Sequence, residues 1–328
     1  MDDLKAGLSV TAAESGQKLL NFLRRRVDAA DGDLHRWIRT GQVRIDGRRA
    51  KAFDRVEEGS QVRVPPFASV RQSEGRAMEP AHEGGVLPGL PPIVHEDEDI
   101  LVLAKPAGLP SQGGTGHADS AASRVARAFA GACFVPAPAH RLDRDTTGLL
   151  VFGKTYRSLR FLTDAFAGRG ARRVRKEYLA WVDGRWENQS PELCDLLVRD
   201  GQTRLMRVCG RNDTQETLAE AVEARLLASP LHGRRIEGRM RTLLLLQLLT
   251  GRTHQIRAQL SSRGHPVSGD PWYGSGGRLK LHAFRIILPT LDGRSMALEL
   301  PPPWGGPWQV PDPALEAARK DPFILRGA

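Results

Sequence analysis

Cysteine is scarce in this 328-residue chain: Cys133, Cys194 and Cys209 are odd in number and far apart. That spacing gives neither a disulfide framework nor a Cys-x-x-Cys metal knuckle, so all three read as ordinary packed thiols. Nine histidines do not replace the missing metal signal, because His-x-x-x-His spacing is absent and no Cys/His cluster forms. No metal is expected. No apolar run approaches the roughly eighteen residues needed to cross a bilayer. Residues 1–15 lack the basic start and apolar core of a secretion signal. The expectation is a cytoplasmic chain with no membrane association and no internal repeat.

What is present in excess is positive charge: 48 Lys and Arg against 38 Asp and Glu leave +10, which suggests a polyanionic partner such as nucleic acid or an acidic membrane surface. The length accommodates one large domain or two unequal ones. Residues 16–66 read as a compact α/β unit. Leu19, Leu20, Leu23 and Val27 suit one helix face, and Leu34, Trp37 and Ile38 suit a second short helix ending at Gly41. Strands follow at Val43 to Ile45, before the Asp46-Gly47 turn, and at the alternating Gln61 to Val64, before Pro65-Pro66. This stretch holds twelve Lys/Arg and seven Asp/Glu, half of the net charge. Arg36, Arg39, Arg44, Arg48, Arg49 and Lys51 straddle the helix–strand junction and could face phosphates together; a solvated basic face is the plainer reading. Residues 67–90, with Gly, Pro and Ser and no sustained period, read as a linker.

From residue 91 to about 310, short apolar runs recur between turn signals: Ile100 to Leu103, Gly148 to Phe152, Tyr178 to Val182, Arg204 to Val208, Thr242 to Leu249 and Phe284 to Leu288. Ala121 to Ala130, Ser158 to Ala167 and Thr253 to Arg263 suit helices. The expectation is an α+β domain with an extended, mixed but mostly antiparallel sheet, followed by a C-terminal tail over 311–328. Gly108-x-x-x-x-Gly113-Gly114-Thr115 is one substitution from a phosphate-binding loop, but glycine stands where the phosphate-gripping lysine belongs, which argues against an ATPase or kinase.

The densest chemistry lies in His140-Arg141-Leu142-Asp143-Arg144-Asp145-Thr146-Thr147-Gly148, which sets an aspartate between two arginines just before an apolar run. Guanidinium groups beside a carboxylate favour its charged form, so Asp143 suits nucleophilic or electrostatic work. By itself the stretch reads first as a turn with a surface ion pair. It resembles the H-R-L-D-x-x-T-S-G motif of the RluA-type pseudouridine synthases, with Thr147 in place of the usual serine. Further motifs follow in order: Lys105-Pro106-Ala107-Gly108, Lys176-Glu177-Tyr178-Leu179-Ala180, Leu249-Thr250-Gly251-Arg252-Thr253-His254-Gln255-Ile256-Arg257, Gly269-Asp270-Pro271-Trp272-Tyr273-Gly274 and Leu281-His282-Ala283. The N-terminal unit resembles the S4 RNA-binding domain often found in front of such catalytic domains.

The resemblance implies a cofactor-free isomerisation of uridine to pseudouridine in structured RNA, with Asp143 as the catalytic residue. Attack at C1′, attack at the base and a glycal-like route all remain compatible with the residues. Tyr178 is expected to lay its ring against uracil and to move a proton through its hydroxyl, or else to pack in the core. Arg252, between an apolar strand and a helix, is expected to pair with Asp143; a phosphate clamp or surface charge is the alternative. Arg141 is expected to fill the space left by a flipped base, with His140, Lys176, His254 and Arg257 as further substrate-binding residues. The combination of motifs looks most like the RluC/RluD-like branch that acts on 23S rRNA of the large subunit, with tRNA as the alternative substrate, a non-catalytic RNA-binding or ribosome-assembly protein as the rival reading, and a monomer as the expected state.

Overall fold

The computed structural model describes residues 7–70, 89–113, 119–169, 172–187, 190–203, 205–320 and 323. Most of the expected linker, the 114–116 part of the glycine-rich loop, Arg204 and the far C-terminus lie outside these residues.

The N-terminal module is built from β1 (Gly7–Ser9), α1 (Leu19–Arg26), α2 (Asp31–Arg39), β2 (Arg44–Ile45), β3 (Arg48–Arg49) and β4 (Gln61–Arg63). Its four strands form one sheet in the order β1-β4-β2-β3. Both helices have the apolar spacing read from the sequence, and Leu19, Phe22, Leu23, Leu34 and Trp37 bury that face against Val43, Val56 and Val62. Each large side chain so removed from water contributes about 1.5–3 kcal/mol. The module is longer than the expected 16–66. At its start β1 pairs with β4, Gly7 opposite Arg63; at its end Val70 bridges to Val27, and Ser69 accepts a hydrogen bond from Asp28. Residues 67–70 are thus tied to the module rather than free linker.

The remaining strands are β5 (Ile93–Glu96), β6 (Ile100–Lys105), β7 (Ala137–Pro138), β8 (Thr147–Gly153), β9 (Arg175–Asp183), β10 (Glu192–Arg199), β11 (Met206–Val208), β12 (Val222–Ile236), β13 (Arg239–Leu248), β14 (Leu281–Pro289) and β15 (Ser295–Glu299). Among the described residues they form an eleven-stranded sheet in the order β11-β10-β12-β13-β9-β14-β8-β6-β5, with β15 on β14 and β7 on β8. Ladders β10 to β12, β12 to β13, β13 to β9 and β9 to β14 are antiparallel, whereas β14 runs parallel to β8. The expected α+β, mostly antiparallel architecture is therefore present. The helices are α3 (Ala121–Ala128), α4 (Tyr156–Phe166), α5 (Gln215–Glu220), α6 (Gln255–Ser261) and α7 (Asp312–Arg319). None of the described helices is long and apolar enough to cross a membrane.

Two compact units divide the chain differently from the expected linker boundary. The first joins the N-terminal part up to 102 with 121–140 and 151–164; the second holds 103–120, 141–150 and 165–328. Within the first, Arg25 Nη1 donates to the Val135 carbonyl at 3.0 Å and its guanidinium lies 4.1 Å from the Phe134 ring centre, contacts that tie the module to the segment after α3. Within the second, the expected tail proves to be part of the core. Helix α7 buries Ala314 and Ala318 in a cluster with Leu179, Trp181, Leu243 and Phe284, and its last carbonyls accept from Arg285.

Candidate active site

The loop from His140 to Thr146 enters β8, and several contacts hold it in place. Ser111 Oγ donates to the Leu142 carbonyl and accepts from the Leu142 amide, both at 2.8 Å. Lys105 Nζ donates to the carbonyls of Arg144 and Leu109 at 2.8 Å and of Pro106 at 3.0 Å. Burial pushes the Lys105 ammonium down to about 8 against the opposing pull of Asp145 and Asp143. At the far end Thr147 Oγ1 lies 2.7 Å from His282 Nδ1, and His282 Nε2 lies 2.7 Å from the Leu300 carbonyl. Because the carbonyl can only accept, Nε2 carries the proton and Nδ1 accepts from the threonine hydroxyl. Gly148 has φ +118°, and a Cβ there would stand 2.3 Å from the Ala283 carbonyl oxygen. Only glycine lets β8 start this close to β14.

Asp143 sits on the wall of a pocket of about 370 Å³ whose lining includes Ser111, Arg141, Arg144, His254, Arg257 and Trp272. Its cationic partner is Arg257, with Nη1 at 3.4 Å from Asp143 Oδ2. Arg257 is buried and gripped from behind: Nε and Nη2 donate to the two oxygens of the fully buried Asp270 at 2.6 and 2.7 Å. Such a bidentate pair fixes the plane of the guanidinium and leaves Nη1 to face Asp143. Burial opposes the Arg257 charge, but the hydrogen bonds and charges of Asp270 and Asp143 outweigh it and hold its pKa above the ordinary value. Burial likewise opposes the Asp270 charge, and Arg257 with the amides of Trp272 and Tyr273 keeps that carboxyl below its usual range.

The expected Arg252–Asp143 pairing is not formed. Arg252 is exposed and its Nε donates to the Glu223 carbonyl at 2.9 Å. The reason is local. Helix α6 begins at Gln255 rather than Thr253, because His254 is left-handed at φ 51°, ψ 20°, a backbone state that costs a non-glycine residue roughly 1–3 kcal/mol. The Gln255 side-chain oxygen accepts from the Arg252 amide at 3.0 Å and the Thr250 hydroxyl at 2.8 Å, closing the turn before the helix. Arg252 stays outside, and Arg257, within the helix, meets Asp143.

The other expected site residues separate into two groups. Arg141 is exposed and lines the pocket, as does His254. Burial lowers the His254 pKa, which favours its neutral ring, and Nδ1 lies 3.1 Å from the Tyr273 hydroxyl. Tyr178 is buried on β9, opposite Leu246 of β13 and Ala283 of β14. Burial, aided by the charge of Asp143, raises its pKa far enough to keep it a phenol. Lys176 is two residues earlier on the same strand face, half-buried, with burial lowering its pKa; the bare Cα of Gly251 leaves room for its ammonium. His140 turns back to β8, where Nε2 accepts from the Val151 amide at 3.1 Å. Among the six basic residues of the N-terminal module, Arg36, Arg39, Arg49 and Lys51 line one concavity of about 470 Å³ with His35. Arg44 instead folds onto the carbonyls of Gly41 and Gly47, and Arg48 is not part of that lining. Among the described residues no group of three His, Cys, Asp or Glu side chains is arranged to hold a metal ion.

Sequence alone assigns no role to Asp270, Lys105, Ser111 or His282, although three of them lie in motifs that stand out there. The usable signal is an ionisable side chain inside apolar surroundings, as in Ile100-Leu101-Val102-Leu103-Ala104-Lys105.

Residues 99–262 match the family described as RNA pseudouridylate synthase. Ribosomal large subunit pseudouridine synthase C of Escherichia coli strain K12 is 34% identical over 273 residues, 81% of this chain and 79% of that protein. Its namesake in Vibrio vulnificus is 30% identical over 89% of this chain and 90% of that protein. Among solved structures, human RNA pseudouridylate synthase domain containing 1 superposes with a TM-score of 0.56 at 25% identity, covering 72% of this chain and 97% of that one. The ordered motifs, the aspartate paired to a buried arginine and these likenesses together make the chain a member of the RNA pseudouridylate synthase family.

Proposed function

We propose that this enzyme converts one or a few uridines of large-subunit 23S rRNA to pseudouridine, with Asp143 as the catalytic carboxylate. The observation that carries the reading is the pairing of Asp143 with an arginine that is itself locked by Asp270, on a pocket large enough for a single extruded nucleoside. The choice of RNA rests on the relatives, which are named for the ribosomal large subunit.

In this reaction the N1–C1′ bond breaks, uracil turns, C5 joins the same C1′, the C5 hydrogen departs as a proton and the freed N1 takes up a proton. The overall change is an isomerisation, so it calls for no redox partner and no nucleotide. Asp143 acts at the reacting centre while Arg257 holds its carboxylate in orientation. Tyr178, kept protonated, supplies a ring and a hydroxyl from the sheet beneath. Exposed Arg141 enters the stack in place of the extruded base, and Arg144 and His254 on the same wall meet the neighbouring backbone. The N-terminal module serves as an S4-like RNA-binding domain, with Arg36, Arg39, Arg49 and Lys51 toward phosphates. The protein works as a monomer in the cytoplasm, where its substrate is assembled.

The test is tritium release from 23S rRNA labelled at C5 of uridine, since simple binding expels no C5 hydrogen. Carbodiimide-stopped reverse transcription in cells with and without the gene then maps the sites. Loss of 23S stops is the expected result. Unchanged 23S stops with a lost tRNA stop would move the substrate to tRNA, and no release from either RNA would leave a binding protein.

A further inference from the structure

Trp272 is 47% exposed and lies on the wall of the pocket that holds Asp143. Phe53, Phe67, Leu196, Val222 and Leu249 are also large, apolar and exposed, yet none of them lines that pocket. The indole is held from below. Its backbone amide donates to Asp270 Oδ1 at 2.9 Å, the Arg257 guanidinium lies 4.8 Å from its ring centre, and the His254 ring leans on it at 5.2 Å and 45°. The same Asp270 that aims Arg257 at Asp143 therefore also positions the tryptophan. An aromatic plate fixed in this way meets a partner without first losing rotamer freedom.

We propose that Trp272 is a stacking platform for the nucleobase next to the target uridine, on the reading that the substrate is RNA. Arg257 touches both the indole, 4.8 Å from its ring centre, and Asp143, at 3.4 Å. The indole is thus joined to the carboxylate through the guanidinium, and 47% of the residue stays open to solvent on the pocket wall. A base seated there is not the uracil being isomerised but its neighbour in the chain, drawn along when the target is extruded. Stacking suits this place because every nucleobase offers a flat face, and an indole accepts any of them without reading hydrogen bonds. Apolar surface left half in water at the rim is covered only when RNA arrives.

The test uses the full-length protein with Trp272→Phe and Trp272→Leu. Phenylalanine keeps a flat face, whereas leucine keeps apolar bulk and loses it. The first probe is a short single-stranded RNA with a uridine flanked by 2-aminopurine, whose fluorescence falls on stacking. The second is C5-tritiated 23S rRNA. Wild type should quench the probe, Trp272→Phe should keep most of the quench, and Trp272→Leu should lose it. KM for 23S rRNA should rise roughly ten-fold in Trp272→Leu and stay within about three-fold in Trp272→Phe, with kcat within about two-fold in both. A quench and KM indifferent to Trp272→Leu would overturn the proposal. A fall in kcat at constant KM would do the same, because it would place the indole in the reaction geometry through Arg257. If wild type releases no tritium but its quench still depends on Trp272, the pseudouridylation of 23S rRNA fails and the stacking site stands. Thermal unfolding of each variant shows whether it is folded, and Trp272→Phe keeps the proposal testable if Trp272→Leu is not.

Discussion

In the N-terminal module Arg24 meets Asp31 at 2.7 Å and Arg36 meets Asp33 at 2.6 Å, all four side chains at least 40% exposed. At the pocket Arg257 meets Asp270 at 2.6 Å with 2% and 0% exposure. The geometries are alike and the consequences differ. An exposed pair is screened, gains little, and opens readily when a phosphate offers a better partner. A buried pair holds its geometry because either charge left alone in the interior is costly, roughly 3–5 kcal/mol when one partner is removed. On the proposed function, arginine in the module serves attraction that many RNA sequences can satisfy, whereas arginine at the pocket serves position. That division can be broken by substitution, and the largest effect should come from the carboxylate that the buried pair positions.

Replacing Asp143 with asparagine keeps the volume and removes the charge. Turnover should fall on the order of 10⁴-fold or more while RNA affinity stays within a few-fold, measured by tritium release and filter binding. Near-normal release would take Asp143 out of the chemistry.

Arg257→Ala should reduce kcat severely and also lower unfolding free energy by about 3–5 kcal/mol in urea, because it strands Asp270 in the interior. Arg252→Ala should leave both kcat and stability close to wild type, its guanidinium being exposed and hydrogen-bonded to the Glu223 carbonyl. The reverse pattern would restore the pairing expected from sequence and break the comparison.

Those two arginines show where sequence reasoning stops. The apolar spacing of Leu19, Leu23, Leu34 and Trp37 marks α1 and α2, and the Arg141-Leu142-Asp143 stretch marks the loop of the proposed catalytic aspartate, since both signals are local. Which arginine of Arg252-Thr253-His254-Gln255-Ile256-Arg257 reaches Asp143 depends on where α6 starts, and that depends on a left-handed histidine with no glycine or proline to announce it. Asp270 is thirteen residues from Arg257, and His282 is 135 from Thr147. Their roles exist only once the sheet has brought them together. Helix α7 hides in the expected tail because its buried face is just Ala314 and Ala318, too weak a pattern to stand out beside Pro311 and Pro313.

His282 offers a pH handle on the interior side of the comparison. Burial pushes it down to about 4 from an ordinary value of 6.5, against the help of the Leu300 carbonyl. Between those values the unfolded chain takes up a proton that the folded chain refuses, so this contribution is fully present above about pH 6.5 and is lost as pH falls toward 4. The shift corresponds to roughly 3 kcal/mol at most. Urea titrations at pH 7.5 and 5 should show wild type losing part of this amount, and His282→Asn should be less stable at pH 7.5 and show a smaller loss between the two. An equal loss in both proteins would mean that the acid sensitivity lies elsewhere, among the carboxylates.

The smallest effect on the chemical step should come from the module. Arg36, Arg39, Arg49 and Lys51 line one concavity, and converting all four to alanine removes four positive charges without touching the pocket of Asp143. Removing residues 1–66 outright is a poorer experiment, because Arg25 and its contacts with Phe134 and Val135 leave with them. In the four-fold variant each lost phosphate contact should take about 0.7–0.9 from the slope of log K against log salt, or roughly 3 in all if every side chain meets a phosphate. At saturating RNA kcat should stay within about two-fold. A salt slope identical to wild type would show that this basic concavity does not meet the substrate. A large loss of kcat at saturation would show instead that the module reaches into the chemistry, and surface charge and buried charge would no longer divide the work between binding and position.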